Sequence, residues 1–182
     1  SSDVCSSDLR SGAEAESSSG ERSEILMDGL QMFFSSPVFG VGYNQYTNHT
    51  FLTAHNSYML ALSETGIVGL FLFLSILVLS VKTCVVCIAK HRHDPDAKIA
   101  VIWSMALLAS VAGACVGSFF LSFTYHHVLW IYLALAAGLY TVIRRHDPKF
   151  KIRLSMFEHL AIGVASVAFV LGMRTLLRFM GP

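Results

Sequence analysis

Charged residues are scarce in this sequence, and their scarcity argues against most classes of soluble protein. Asp, Glu, Lys and Arg make up 14% of the 182 residues, whereas soluble domains carry about a quarter. The net charge is +1 at pH 7, and no basic run with interleaved aromatic residues occurs, so nothing favours a nucleic-acid partner. Hydrophobic residues make up 54% of the chain. This composition indicates a membrane protein.

Familiar motifs of soluble enzymes and metal sites are also missing. The sequence has no Gly-rich phosphate loop with a lysine, no Gly-x-Ser-x-Gly elbow and no His-Glu-x-x-His. Among the four cysteines, Cys84 and Cys87 form one Cys-x-x-Cys, but no second pair accompanies it. Because both lie in an apolar run, we expect them to pack inside a helix. We expect His126 and His127, which are adjacent in sequence, to lie at the membrane interface rather than to hold a metal.

Long apolar runs predict membrane-spanning helices. About 20 residues cross the hydrocarbon core as a helix, and Ile99 to Leu121 form one run without a charge. We expect another span from Gly66 to Ala89 and a third over roughly 124–143. The last run, Leu160 to Met173, is short for a span and fits an interfacial helix as well. The sequence therefore predicts an all-α, polytopic bundle of three or four transmembrane helices.

The part of the chain before these runs divides into two segments. Residues 1–20 are Ser-rich and lack periodicity, so we interpret them as a disordered or non-native leader. Residues 21–66 have apolar residues at helical spacing in two stretches, 21–34 and 54–64, around a polar loop. We interpret this segment as an extracytoplasmic loop with short amphipathic helices, followed by the transmembrane helices in 67–182.

Positive charges cluster at one end of the predicted spans. One cluster runs from Lys90 to Lys98 after the first span, and the other from Arg144 to Arg153 after the third. The positive-inside rule places both clusters in the cytoplasm. We expect His91 and His93, in the first cluster, to be solvated. The polar loop before the first span then faces the outside, which is the periplasm of a Gram-negative cell.

The polar stretch from Pro37 to Gly69 carries the residues with the most chemistry. Its three elements read Pro37-x-x-Gly40-x-Gly42, then His55-Asn56-Ser57-Tyr58, then Glu64-x-Gly66-x-x-Gly69. In this order and at this spacing they resemble the signature of the O-antigen ligase and O-antigen polymerase superfamily. The resemblance covers about residues 20–88, and the later spans match only in general character.

This resemblance implies an enzyme, a membrane glycosyltransferase of the bacterial inner membrane. It would transfer a glycan from undecaprenyl pyrophosphate to an acceptor hydroxyl on the extracytoplasmic face. The acceptor would be a lipid A-core sugar, another glycan repeat or a protein hydroxyl. Such an enzyme uses no metal ion, nucleotide or other cofactor. Since family members have more spans, the resemblance also implies that this chain is the C-terminal part of a longer protein.

The resemblance assigns two catalytic residues. His55 falls on the functional histidine of the family, where an imidazole activates the acceptor or positions the donor phosphates. Arg22 resembles an essential arginine of the family, and its planar guanidinium suits a pyrophosphate. By residue type alone, a loop histidine such as His55 more often donates to a backbone carbonyl, and a charge such as Arg22 is more often solvated.

Four further residues are candidate substrate contacts: Asn56, Tyr58, Glu64 and Tyr43. Asn56 and Tyr58 suit contacts to a sugar, although either can simply cap or pack the helix that follows. Glu64 either pairs with a positive charge or lies solvated at the interface. Tyr43 and Tyr46 either stack on sugar rings or anchor the loop at the lipid headgroups.

Two non-enzymatic interpretations stay open. A polysaccharide transporter or flippase would use the outer loop as a gate and would carry charges inside its spans. Here Lys82 and Arg174 are the charges near the middle of apolar runs, and both can snorkel to the membrane surface. A membrane assembly subunit would bind partner helices through the small-residue stripe of Ala109, Gly113 and Gly117.

Overall fold

The computed structural model describes residues 24–49 and 54–180, which form helices and connecting loops without a β-strand. This confirms the all-α fold class. Arg22 and residues 1–20, which we interpreted as a leader, lie outside the described residues. The described helices are α1 (24–35), α2 (Tyr46–His49), α3 (Ser57–His91), α4 (Lys98–Gly117), α5 (His127–His146) and α6 (Met156–Met180).

Four of these helices, α3 to α6, are long and apolar enough to cross a membrane. The last apolar run therefore belongs to a helix of spanning length, since α6 has 25 residues. Its charges are accommodated by neighbours: Glu158 forms an ion pair with Lys82 at 2.6 Å, and the Arg174 guanidinium lies 5.7 Å from the centre of the Phe34 ring. Glu158 and Arg174 limit the apolar run that can be read from the sequence, but both lie within α6 and do not end it.

Helix α3 is the central element of the bundle and contacts α2, α4, α5 and α6. It has 35 residues, or about 50 Å at 1.5 Å per residue, so it is longer than the hydrocarbon core of about 30 Å. The sequence predicted a short helix followed by a span. The structure joins the two across a kink at Gly66, whose φ of 69° is not helical.

Two apolar clusters hold the helices together, one toward each end of α3. The first joins the start of α3 to α1, α5 and α6, through residues such as Leu30, Met59, Leu129 and Met173. The second lies near the end of α3 and includes Cys84 and Cys87, which are fully buried free thiols. Burial of these thiols confirms that the Cys-x-x-Cys packs inside the bundle.

The small-residue stripe does not bring another described helix close to α4. A Cβ atom added to Gly113 would meet nothing within 4 Å, and one added to Gly117 would lie 3.4 Å from the Phe123 ring in the following turn. The expected helix–helix approach through this stripe is therefore not found within the described part of the chain.

One expectation at the far end of α3 was wrong. His91 is buried, with 7% of its side chain exposed, whereas His93 two residues later is exposed as expected. The cause is the end of α5, which packs beside the end of α3 and brings His146 within 6.1 Å of the His91 ring.

Candidate functional site

The two glycine motifs pack directly on each other. In a regular helix the amides of Ile67 and Val68 would bond the carbonyls of residues 63 and 64. The kink at Gly66 releases these four groups, and the Pro37–Gly42 turn takes up all of them. Four backbone hydrogen bonds of 3.0–3.4 Å result: Val41 to Ser63, Gly42 to Glu64, Ile67 to Pro37 and Val68 to Val38. The turn thus takes the place of two successive helical hydrogen bonds, from residue 67 to 63 and from 68 to 64.

Glycine is required on both sides of this contact. Gly40 has a φ of 72°, and a Cβ atom there would lie 2.3 Å from the Glu64 carbonyl carbon. Gly66 has a φ of 69°, and its Cβ atom would lie 2.3 Å from the Val38 oxygen. Residues with a side chain rarely adopt such φ values. The two motifs are therefore halves of one backbone structure.

Glu64 is buried at the centre of this structure, with 2% of its surface exposed. Its Oε1 accepts a hydrogen bond of 3.0 Å from the Tyr46 amide, so the carboxylate fixes α2 above the turn. The Oε2 atom is buried and has no hydrogen-bond partner among residues 24–49 and 54–180. The expectation of a solvated Glu64 does not hold, because the carboxylate lies inside the fold.

Tyr46 has a different environment from the one expected. It is fully buried rather than at the headgroups, and its hydroxyl donates to the Ile25 carbonyl of α1. Burial raises the pKa of this phenol, and the nearby carboxylates of Asp28 and Glu64 raise it further. Tyr46 therefore joins α1 to α3 and has no surface left for a sugar ring.

Tyr43 and Tyr125 form the exposed edge of the Glu64 region. Tyr43 is 69% exposed, and its ring meets the Tyr125 ring edge-on at 4.7 Å between centroids. The phenol of Tyr125 lies beside Glu64, so burial and then the Glu64 carboxylate raise its pKa. Sequence reasoning singled out Tyr43 but not Tyr125, which lies on the α4–α5 turn about 80 residues away.

Asn56 and Tyr58 have structural partners. The Asn56 side chain caps α3, because its Oδ1 accepts from the amides of Tyr58 and Met59 at 3.0 Å each. The Tyr58 hydroxyl donates to the Cys115 carbonyl of α4 at 2.8 Å, and its ring lies among Phe73, Phe119 and Phe169. Both side chains are buried.

Ser57 connects the start of α3 to the α4–α5 turn. Its hydroxyl donates to the Leu121 carbonyl and accepts from the Phe123 amide, both at 2.6 Å. Its amide donates to the Ser118 carbonyl at 2.7 Å, and its carbonyl accepts from the Thr124 hydroxyl at 2.6 Å. These four bonds hold the turn against the His55–Tyr58 element.

His55 is the exposed member of that element. Its backbone is left-handed, with a φ of 44°, and its neighbours Ala54 and Asn56 are buried. The imidazole lies at a small cleft of about 100 Å³ between α1 and the end of α4. The cleft is lined by Ile25, Leu26, Ala54, His55, Asn56, Phe119 and Phe120. A rigid backbone thus presents one imidazole at the surface.

Comparison with protein families supports the assignment of these elements. Residues 3–74 match the family model described as O-Antigen ligase. The match includes the Pro37–Gly42 turn, His55–Tyr58 and Glu64–Gly69, so it confirms the resemblance expected from the sequence. No curated protein and no solved structure matches the chain. The four apolar helices indicate a multi-pass membrane protein, and its segment 3–74 is similar to O-antigen ligases.

The candidate residues thus differ in their surroundings. His55 and Tyr43 are exposed, Asn56 and Tyr58 are engaged in capping and packing, and Glu64 is buried with one free carboxylate oxygen among the described residues. The chemistry that this arrangement offers is an exposed imidazole and an exposed aromatic edge on a buried scaffold.

Proposed function

We propose that this chain belongs to a membrane glycosyltransferase that acts on a lipid-linked glycan. The donor in this proposal is a glycan on undecaprenyl pyrophosphate, and the acceptor is a hydroxyl of lipid A-core sugar, of another glycan or of a protein. The observation that carries the proposal is His55, which is exposed within the segment that matches the O-antigen ligase family.

The reaction needs no redox partner. The acceptor oxygen forms a bond to the anomeric carbon of the donor sugar while the bond from that carbon to the pyrophosphate oxygen breaks. The electron pair leaves with undecaprenyl pyrophosphate, and the hydroxyl proton must be taken by a base. We assign His55 to this proton, because an imidazole is a base near neutral pH and a positioned base accelerates such a step by about 10²–10⁴-fold.

Charge develops on the departing pyrophosphate, and Arg22 is proposed to offset it. A guanidinium is permanently charged and binds phosphate oxygens in a bidentate manner. This stabilisation counts most where charge appears in the transition state. The proposed reaction is metal-independent, since the guanidinium takes the role of a divalent ion.

Tyr43 is the proposed substrate contact best supported by its surroundings, since it is exposed. The exposed ring of Tyr43 offers an apolar face to a sugar, and Tyr125 supports it from behind. Glu64 is also a proposed contact, through Oε2, because Oε1 is bonded to the Tyr46 amide. Since Oε2 is buried and the Tyr125 phenol lies beside Glu64, this contact requires Tyr125 to move aside. Asn56 and Tyr58 act, in this proposal, by positioning His55 and α3 rather than by touching the glycan.

The charge distribution supports an orientation with the motif outside. Lys90, Arg92 and Lys98 at the end of α3 and the Arg144–Arg153 cluster after α5 lie at the end of the bundle opposite the motif. By the positive-inside rule that end is cytoplasmic. The motif then faces the periplasm, where the donor pyrophosphate supplies the energy for transfer.

The transporter interpretation gains no support from the spans. Lys82 is neutralised by Glu158, and Arg174 lies over the Phe34 ring near the motif end of the bundle. The Lys82–Glu158 pair is partly exposed and lies at the start of α6, and Arg174 faces an aromatic ring. These charges therefore do not line a path along the spans, as a transporter would need.

Complementation of a deletion strain tests the proposal. The whole gene, as wild type and with His55→Asn, is expressed in the strain, and surface and lipid-linked glycans are separated on a gel. Asparagine tolerates the left-handed backbone of His55 but is not a base. Loss of glycan on lipid A-core with long polymer still lipid-linked indicates a ligase, and loss of long chains indicates a polymerase. A wild-type glycan pattern from a well-expressed His55→Asn protein would contradict the proposal.

A further inference from the structure

The end of the bundle opposite the motif carries a cluster of potential metal ligands. One atom each of His91, Asp94 and His146 lies within 4.8 Å of the other two. His91 ends α3, Asp94 lies in the α3–α4 loop and His146 ends α5, so the three residues belong to three segments of the chain. This cluster lies about 37 Å along α3 from the kink at Gly66 and has no part in the proposed transfer reaction.

The distances suit a small divalent ion. Asp94 Oδ2 lies 2.9 Å from His146 Nε2 and 3.9 Å from His91 Nδ1. Two ligands on a tetrahedral ion with bonds of about 2.0–2.1 Å lie roughly 3.3–3.5 Å apart. The observed distances lie on either side of this value. The His91 and His146 nitrogens lie within 4.8 Å of each other, so a shared ion would draw the two rings and the Asp94 carboxylate together.

A fourth residue, Asp147, lies next to the buried histidine. His91 is 93% buried by side chain, and its Nε2 has no hydrogen-bond partner among the described residues. That nitrogen lies 3.7 Å from Asp147 Oδ2, which is itself bonded to Lys90. A ligating histidine usually donates its other ring N–H to a carboxylate. Asp147 would accept that N–H, with Nδ1 of His91 facing the ion, after an approach of a few tenths of an ångström from 3.7 Å.

We propose that His91, Asp94 and His146 form a zinc(II) site that joins the ends of α3 and α5 to the α3–α4 loop. Two imidazole nitrogens and one carboxylate oxygen favour a borderline ion such as Zn²⁺ over Mg²⁺ or Ca²⁺, which prefer oxygen ligands. The fourth position is left for water. The ion stabilises the contact between the α3–α4 loop and the end of α5. Without the ion, the Asp94–His146 hydrogen bond makes this contact.

Zinc binding to the whole purified protein tests this site. The protein carries an affinity tag without histidine, and a chromophoric chelator competes for Zn²⁺ in detergent. We compare wild type with Asp94→Asn and His146→Gln, because both side chains are partly exposed, at 32% and 43%, so their replacement leaves the core intact. His93→Ala is the matched control, since His93 is an exposed neighbour outside the cluster.

The site predicts one Zn²⁺ per chain, with affinity lowered at least about 10-fold by Asp94→Asn and by His146→Gln, since even outer-shell changes have that effect. His93→Ala should bind as wild type does. Co²⁺ in the wild-type protein should give the visible absorption of a tetrahedral nitrogen–oxygen site, and this absorption should be lost in His146→Gln. Absence of saturable binding, or binding that the two ligand variants leave unchanged, would overturn the proposal, as would equal weakening by His93→Ala.

Discussion

Gly40 and Gly66 meet across the contact between the Pro37–Gly42 turn and the kink in α3. A Cβ atom on Gly66 would lie 2.7 Å from the Gly40 nitrogen and 2.3 Å from the Val38 oxygen. The glycines of the two motifs therefore serve one purpose, which is to let a turn enter the hydrogen-bond ladder of a transmembrane helix. The family signature is in this respect a structural one, and it places His55 between its two halves.

Alanine at either glycine should destabilise the protein. A left-handed residue with a side chain costs about 1–2 kcal/mol, and the contacts at 2.3 Å are with backbone that cannot move aside. We expect Gly40→Ala and Gly66→Ala to lower the apparent melting temperature of the detergent-solubilised protein. Gly113→Ala is the control, because its Cβ atom meets nothing. Equal melting temperatures for all three variants would contradict the interlocked turn.

Ser57→Ala should weaken the contact between the α4–α5 turn and α3, although the two backbone bonds of residue 57 remain. The substitution removes the bonds of the hydroxyl to the Phe123 amide and the Leu121 carbonyl, which keep only their 3.1 Å bond to each other. Loss of a typical hydrogen bond costs about 0.5–1.5 kcal/mol. Thermal unfolding checks this against Ser110→Ala, since Ser110 bonds only a carbonyl of its own helix. If the two variants unfold alike, the bonds of Ser57 do not hold the turn.

Asn56 should be replaceable by another capping residue. Asp accepts the same two amide hydrogen bonds and suits the positive end of the α3 dipole, so Asn56→Asp should keep both stability and glycan transfer. Asn56→Ala should lose about 0.5–2 kcal/mol of stability. A stable Asn56→Asp protein without transfer activity would show instead that the amide itself contacts the glycan.

Two variants of Glu64 separate its bond to Tyr46 from its charge. Gln keeps an oxygen that accepts from the Tyr46 amide, so Glu64→Gln should fold like wild type, whereas Glu64→Ala should lose about 1–3 kcal/mol. Under the proposed function, Glu64→Gln should still transfer glycan more slowly, because Oε2 loses its charge. Unfolding curves and transfer rates are measured on the same preparations. If Glu64→Gln transfers glycan at the wild-type rate, Glu64 has a structural role only.

The sequence predicts the spans well, because a run of apolar residues is a property of neighbours in the chain. Ile99 to Leu121 was expected as a span, and α4 runs from Lys98 to Gly117 and so covers most of it. The last span was harder to predict, since Arg174 and Glu158 interrupt its hydropathy. Both charges find partners on α1 and α3, and only the assembled bundle shows those partners.

The candidate site was predictable in its motifs but not in its contacts. His55, Asn56 and Glu64 could be named from spacing and resemblance. The burial of Tyr46 could not be predicted, because it depends on Ile25 and Glu64, about 20 residues away on either side. The burial of His91 has the same origin, since it is created by the end of α5. Aromatic and histidine residues in polar segments are placed by such distant contacts.

The transfer rate of the purified whole protein with His55→Asn tests the central claim most directly. Lipid-linked glycan and acceptor are supplied in detergent, and the melting temperature is measured on the same sample. His127→Asn is the control, because His127 is an exposed histidine at the start of α5. The proposal predicts a rate lowered by about 10²-fold or more for His55→Asn at unchanged stability, and a wild-type rate for His127→Asn. A folded His55→Asn protein that transfers glycan at the wild-type rate would contradict it.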